Sequence, residues 1–346
     1  MAPNANHKKN NQSGHNKGKN HHSHAAKKPK VPRSNKKNKV LIPKPPPALV
    51  KFPYVALTAA EELKTMKVIY ILFWLKIYKL LMILHAVLCS RNLASATDRD
   101  IDFKDLLRIT KDENLNNPTG FMPNPISAND VQQCITTRNH TDHLQLNDIQ
   151  QHWRSRISSY AILCDSANNP TTATELRTVS SQMNAGNFTG IVQFTFTFSS
   201  SFSHPQGFGI SIIMYGILLR YLAKIVRTFL IGKLGFPNIT LDLHANLQFI
   251  EDKLLTNPNY IDVGGWQRGD ASLFQRLFDT RLCYAHGWFV IAWHDWQDQL
   301  QDIIDAQHLL KAHTEAAVVQ DIFDKLVRYK NDGLLVTDAE FNVMDL

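Results

Sequence analysis

The chain has 346 residues and a formal net charge of +8, with 38 basic and 30 acidic side chains. Its four cysteines, at positions 89, 134, 164 and 283, lie far apart and form no CxxC pair. This excludes a disulfide-stapled scaffold and favours reduced thiols in a cytosolic setting. Residues 1–51 contain thirteen Lys and Arg and no acidic residue, whereas the remainder carries 25 basic and 30 acidic residues. A cationic segment therefore precedes a mildly acidic body.

Residues 1–41 are predicted to be a disordered basic arm. They contain few apolar residues before Val40, too few to offset the entropy lost on ordering, and they lack the apolar run of a secretory signal. A flexible polycation neutralises phosphates and releases counterions, which predicts nucleic-acid binding with little dependence on base sequence. A solvated tail or a nuclear-localisation segment is the alternative interpretation. The predicted nucleic-acid-binding residues are Lys8, Lys9, Lys17, Lys19, Lys27, Lys28, Lys30, Arg33, Lys36, Lys37 and Lys39.

A proline-rich spacer follows over residues 42–51. Pro43, Pro45, Pro46 and Pro47 each fix φ and remove a backbone donor, so the spacer is predicted to be extended polyproline II. We place the body at residues 52–346, which is long enough for one large domain or two unequal ones.

The first helix of the body is marked by a capping box, Thr58-Ala59-Ala60-Glu61. The run from Glu62 to Cys89 contains no Gly or Pro, which predicts one helix of about thirty residues. Its second half is apolar on nearly every face, and residues 209–232 form a second stretch of the same kind. A helix that is apolar all round is typical of a buried core, and this is the interpretation we favour.

The alternative is insertion into a membrane through residues 68–88 and 209–231. Apolar side chains of the first segment contribute about −4 to −8 kcal/mol of insertion energy, whereas Lys76 and Lys79 cost about 2.5–3.5 kcal/mol each. The sum is close to zero, and the second segment carries three internal cations, so no stable insertion is expected. A membrane-associated viral movement or replication-organising protein is nevertheless the second functional hypothesis, and flotation with lipid vesicles separates the two.

The rest of the body is predicted to be mainly helical. Between the helices, one strand is predicted from Phe188 to Phe202, where Phe and Thr alternate, and its pairing is expected within the chain. The further helices are predicted at Asp100–Thr110, Asn129–Thr136, Asn147–Leu163, Thr172–Met183, Leu241–Leu255, Ala271–Tyr284, Trp296–His313 and Thr314–Tyr329, the last ended by Gly333.

Motifs of catalysis are absent from the sequence: there is no Gly-rich phosphate loop, HExxH or GxSxG. Cys283, His286 and His294, with Asp295, form the most metal-like group, but their aromatic surroundings favour a packed core with satisfied histidines. Two weaker candidates are the pair His140 and His143, and His152 with Asp142 or Asp148, which nothing distinguishes from surface residues. We therefore expect that the protein is not an enzyme and that it binds no cofactor and no metal. A metal-dependent enzyme is the third hypothesis.

Two further features point to contacts with partners. Arg220, Lys224 and Arg227 fall at i, i+4 and i+7 and predict a secondary basic stripe on the second apolar helix. The stripe either faces nucleic acid or another subunit, or its heads reach solvent and pair with carboxylates, which we favour. The tryptophans Trp288, Trp293 and Trp296 are candidate anchors between subunits, with the core of a monomer as the alternative.

A disordered basic arm, a Pro-rich spacer and a large helical body without a catalytic motif together resemble a viral coat protein. The stretches PKPPPALVKFPYVAL, before the first apolar helix, and NPNYIDVGGWQRGDASLF, before a later one, are similar to the coat proteins of plant cryptic double-stranded RNA viruses, the partitiviruses.

The resemblance implies a mainly α fold: a helical shell domain (about 52–111 and 206–346) with a smaller irregular or α+β protrusion (about 112–205). It also implies dimers that assemble into an icosahedral shell enclosing double-stranded RNA and the viral polymerase, with the arm pointing inward. The expected locations are the virion and the host cytoplasm, and no catalytic residues carry over.

Overall fold

The computed structural model describes residues 57–97, 101–117, 120–234, 239–257 and 266–345. The arm, the spacer and every predicted RNA-binding residue between Lys8 and Lys39 lie outside these ranges. Within them the fold is mainly α, as predicted, with 76% of residues helical. The principal helices are α1 (Ala59–Trp74), α2 (Leu81–Ser90), α3 (Phe103–Asn116), α4 (Ala128–Asp142), α5 (Leu146–Ser166), α6 (Pro170–Asn184), α7 (His204–Ile217), α8 (Lys224–Leu234), α9 (Leu243–Thr256), α10 (Ala271–His286), α11 (Phe289–Leu309), α12 (His313–Asp332) and α13 (Asp338–Phe341).

The predicted first helix is confirmed. Glu61 N donates to Thr58 Oγ1 at 3.3 Å and Thr58 N donates to Glu61 Oε2 at 2.9 Å, so the capping box closes in both directions. Helix α1 continues through a π-helical segment, Leu75–Leu80, into α2 without a break. The second apolar stretch repeats this arrangement, because a π-helical segment, Leu218–Ala223, joins α7 to α8.

By length and composition alone, the two continuous helices, Ala59–Ser90 and His204–Lys233, are long and apolar enough to cross a membrane. In the structure, 72% and 78% of their most apolar windows are buried inside the protein. They also contact each other: the Phe73 and Tyr215 rings stack with centroids 3.7 Å apart. A Cβ at Gly216 would lie 3.1 Å from Tyr70 Cε2, so only a small residue permits this approach. Burial of this extent favours the core interpretation of both helices.

The other helices pack around this central pair. On one side α1 packs against α5, which in turn packs against α4 and α6. On the other side α7 packs against α11, and α11 against α10 and α12, with α9 outside α10. The described residues of the predicted protrusion thus pack onto the central helices, and the boundary between shell and protrusion stays a prediction.

The strand prediction is confirmed in place but not in length. Strand β1 covers Thr195–Thr197 and pairs antiparallel with β2, Leu335–Thr337. The pairing is intramolecular and the alternation holds, with Phe196 buried and both threonines of β1 exposed. The strand is short because its partner offers only three residues. Phe196 packs so tightly on α7 that a Cβ at Gly209 would lie 2.1 Å from its ring.

Most predicted helices are present with ends shifted by a few residues, and Gly333 ends α12 in the left-handed conformation as expected. The exception is α11, which begins at Phe289 rather than at Trp296. Gly287, with φ of 77°, ends α10, and the apolar residues after it start the next helix at once. The aromatic segment around Gly287 is therefore the turn between the two consecutive helices α10 and α11.

Candidate functional site

The secondary basic stripe does not lie along one helical face. The π-helical segment Leu218–Ala223 shifts the register between Arg220 and Lys224, so the α-helical spacing behind the prediction does not apply. Arg220 Nη1 donates to the Val343 carbonyl at 2.5 Å, and Arg227 Nη1 lies 2.8 Å from Glu62 Oε2. Pairing with a carboxylate is thus confirmed for Arg227, whereas Lys224 is exposed. A contact of the stripe with RNA stays a prediction.

Cys283, His286 and His294, which carried the metal hypothesis, do not come together as one group. No group of three or more His, Cys, Asp or Glu that could hold a metal ion occurs in the described ranges. Cys283 Sγ is buried and donates to the Trp288 carbonyl at 3.4 Å, and His286 Nδ1 lies 2.7 Å from Asp102 Oδ2. His286 is therefore the satisfied histidine that was expected. His294 is exposed, so for it the core interpretation was wrong.

A buried charge cluster, formed by Lys76, Arg138, Asp142 and Arg281, is the main polar feature of the interior. All four side chains belong to residues with at most 6% of their surface exposed. Lys76 Nζ lies 2.8 Å from Asp142 Oδ1 and donates to the Ala285 carbonyl at 3.1 Å. The prediction that Asp142 resembles an ordinary surface residue was wrong. Asp142 is buried because the charge of Lys76, which lies within an apolar helix, requires a buried partner of opposite charge.

The two arginines complete the cluster. Arg138 Nε and Asp142 Oδ2 form an ion pair at 2.7 Å, but their angles do not satisfy a hydrogen bond. Arg281 Nη2 donates to the Asp142 carbonyl. Helices α4 and α10 and the π-helical segment Leu75–Leu80 are thereby tied together at one point. Because solvent and any substrate are excluded, the cluster holds helices in register rather than presenting a reactive group.

Pairs of Asp and His surround the cluster. Asp102 N-caps α3 and meets His286, and Asp242 N-caps α9 and lies 3.1 Å from His143 Nδ1. A third carboxylate, Asp148, contacts both His140 and Arg156. His152, by contrast, is exposed. His140 and His143 thus each contact a carboxylate from another part of the helical body, whereas His152 has no such contact among the described residues.

Burial opposes ionisation of each of these carboxylates, but their partners outweigh it. The charges of Lys76, Arg138 and Arg281 hold the pKa of Asp142 below its usual range. Hydrogen bonds and attraction from His286 and from His143 do the same for the pKa of Asp102 and of Asp242. Contacts with His140 and Arg156 lower the pKa of Asp148. The folded state therefore keeps these groups ionised at acidities that protonate them in the unfolded chain.

We expect a loss of stability in acid from these lowered pKa values. Below the ordinary Asp pKa of about 3.9 the unfolded chain binds more protons than the folded protein, so stability falls as the pH falls. Each carboxylate contributes a slope of up to about 1.4 kcal/mol per pH unit. Urea unfolding at pH 5, 4 and 3 measures this slope. Asp148→Asn should flatten it, and an unchanged slope in that variant would contradict the assignment for Asp148.

A cleft of about 380 Å³, lined by aromatic and polar side chains, is the second candidate site. It lies between the β1–α7 loop, α11 and the end of α12. Of the three predicted tryptophan anchors, Trp296 is 1% exposed and belongs to the core, so its role as an exposed anchor was wrong. Trp288 and Trp293 are half-buried. The residues that line the cleft are Phe198, Ser199, Ser200, Gln206, Trp293, His294, Trp296 and Lys330.

Comparisons of the chain with family models, with curated proteins and with solved structures returned no match.

Sequence reasoning missed both the buried charge cluster and the cleft. A signal for the first was present, since Lys76 in an otherwise apolar run requires a carboxylate partner. Nothing local identified Asp142 as that partner, 66 positions further along the chain. The cleft had no signal of its own, because its lining residues come from three separate stretches of sequence.

Proposed function

We propose that this protein is a self-assembling viral coat protein that packages RNA through its basic N-terminal arm. The observation that carries the proposal is the separation of charge: thirteen Lys and Arg without an acidic residue in 1–51, followed by a body of net charge −5. A polyanion is attracted to the arm and, overall, repelled by the body. The RNA is proposed to be double-stranded, on the resemblance to partitivirus coat proteins alone.

The geometry of the body supports assigning RNA to the arm. Several of the body's cations are used in internal ion pairs and lie in buried or half-buried contacts. Such side chains are not available to phosphates without breaking the fold. The pairs are Lys76 and Arg138 with Asp142, Arg156 with Asp148, and Arg227 with Glu62.

The surface of α11 gives a second line of support. Its aspartates at 295, 298, 302 and 305 are spaced by three and four positions, which places them along one side of the helix. Asp302 pairs with Arg276, and the other three are exposed. A row of carboxylates repels a phosphate backbone, so we assign this side of the body to a surface that does not face RNA.

Self-association is supported by apolar side chains on the surface. Leu335, the first residue of β2, and Leu334 before it are 55% and 41% exposed, and Trp288 and Trp293 are half-buried. Tryptophan is enriched among the residues that anchor contacts between subunits, and exposed leucines add apolar surface that such a contact can bury. The long apolar helices are mostly buried, which supports a core role for them over the membrane-associated alternative.

Removal of residues 1–51 tests the proposal. We expect the shortened protein to form particles with little bound RNA, because the body keeps its core and loses the cations. Particles are measured by negative-stain microscopy and sedimentation, and RNA by the ratio of absorbance at 260 and 280 nm. The matched control keeps the full length and replaces the eleven predicted arm cations by Gln, which separates charge from chain length. Undiminished RNA in either particle would contradict the proposal.

A further inference from the structure

The aromatic cleft has a hydrophobic wall and floor. The Phe198 and Trp296 rings stack with centroids 5.4 Å apart, and Trp296 is closed off from solvent. Trp293 stands half-buried beside them, with its ring centroid 4.2 Å from that of the exposed His294. A half-buried indole next to an open volume offers one face to a planar ligand.

Gln206 supplies a buried polar group with unused hydrogen-bonding capacity. The residue is 1% exposed and lines the cleft. Its Oε1 accepts from Ser199 N at 3.2 Å and from Ser199 Oγ at 3.1 Å. Its Nε2 has no hydrogen-bond partner within the described parts of the chain. Because Gln206 lines the cleft, this donor is available to a ligand with an acceptor atom.

The cleft also carries one cation, Lys330. Lys330 Nζ donates to Gln297 Oε1 at 2.7 Å and lies 5.7 Å from the centre of the Trp296 ring, so two of its three donors remain for an anion. Among the described residues that line the cleft, none is a carboxylate. Helix α7 begins beside it at His204, and the side chain of its N-cap, Ser203, makes no capping hydrogen bond. The positive end of a helix dipole therefore adds to the charge of Lys330.

We propose that this cleft binds one unpaired ribonucleotide. The base stacks on Trp293, Gln206 Nε2 donates to an acceptor of the nucleotide, and the phosphate is held by Lys330. A volume of about 380 Å³ falls within the range of small-molecule sites. A base within a duplex is stacked on its neighbours and cannot enter, so the ligand is a mononucleotide or an unpaired residue of an RNA strand.

The site is tested on the full-length protein by equilibrium dialysis with AMP and by quenching of tryptophan fluorescence. We expect Trp293→Ala to raise the dissociation constant of AMP roughly five-fold to hundred-fold, since stacking on an aromatic side chain has that value. Lys330→Gln, a surface change that leaves the packing intact, is expected to raise it roughly ten-fold. The matched controls are Trp288→Ala, outside the cleft, and Arg328→Gln, two positions from Lys330 on α12. Both should leave AMP binding unchanged.

Fragments of the ligand make the proposal falsifiable. Ribose 5-phosphate lacks the base and adenosine lacks the phosphate, so both should bind more weakly than AMP. Equal binding of either fragment, or an unchanged dissociation constant in both Trp293→Ala and Lys330→Gln, would overturn the proposal. A single-stranded tetranucleotide that displaces AMP identifies an RNA strand as the source, and failure to displace identifies a free mononucleotide. A short RNA duplex should not displace AMP.

The experiments test the nucleotide site in the cleft and RNA packaging by the arm independently. Lys330→Gln keeps every arm cation and every proposed subunit anchor, so this variant should assemble and package RNA as the unchanged protein does. Loss of RNA from the arm-deleted protein, in turn, leaves the AMP measurement unaffected.

Discussion

Asp142→Asn is expected to lower the free energy of unfolding by about 3–5 kcal/mol, the range for breaking a buried ion pair by removing one partner. The substitution keeps the size of the side chain but removes the only carboxylate within the buried charge cluster. Lys76, Arg138 and Arg281 would then remain as buried cations without their counter-charge. Urea unfolding followed by circular dichroism measures the change, and the midpoint should fall with little change in the slope.

The control for this prediction is Asp165→Asn on the surface. Asp165 pairs with Arg177, and both side chains are at least 40% exposed. Solvent screens such a pair, so the loss should be under about 1 kcal/mol. A double variant, Asp142→Asn with Lys76→Met, should recover part of the stability because it removes one uncompensated cation. An Asp142→Asn protein no less stable than Asp165→Asn would show that the cluster does not stabilise the fold.

RNA affinity of the full-length protein is expected to fall steeply as salt rises. Each phosphate contact contributes about 0.7–0.9 to the slope of log affinity against log salt. Six to ten arm contacts would lower the affinity about 10³–10⁵-fold between 50 and 200 mM salt. Filter binding or fluorescence anisotropy with a labelled RNA duplex over this range measures the slope.

Two variants locate the contacts behind that slope. Replacing Lys8, Lys9, Lys17 and Lys19 by Gln removes four arm cations and should lower the slope by roughly 3–4. Lys224→Gln removes the exposed cation of the secondary stripe and should leave the slope unchanged if RNA binds the arm alone. A slope that responds to Lys224→Gln and not to the arm variant would move the RNA contact from the arm to the body.

The positions of the helices were predictable because their signals are local. The capping box at Thr58 and the following run without Gly or Pro defined the first helix, and Gly333 marked the end of α12. Burial of the two long helices was predictable as well, since they are apolar on nearly every face. The π-helical segments within both were not, because the same residues also fit an α-helix.

The candidate sites were predictable only in part. Charge separation is a property of composition, so the cationic arm needs no tertiary structure to be recognised. The basic stripe and the metal group were predicted from spacing along one segment. The π-helical segment removes the regular spacing behind the stripe, and the partner of His286, Asp102, lies 184 positions away in the chain. A local spacing predicts a shared face only while the helix stays regular.

The sequence by itself determined the mainly helical fold, the two apolar core helices and the division into basic and acidic parts. Only the tertiary structure decided which charges meet and which aromatic rings share a cleft. Lys76 pairs with Asp142, and β1 pairs with β2, because the packing of the intervening helices brings these distant segments together. Helix formation depends on neighbours within a few residues, whereas a buried ion pair or a cleft depends on contacts between segments far apart in the chain.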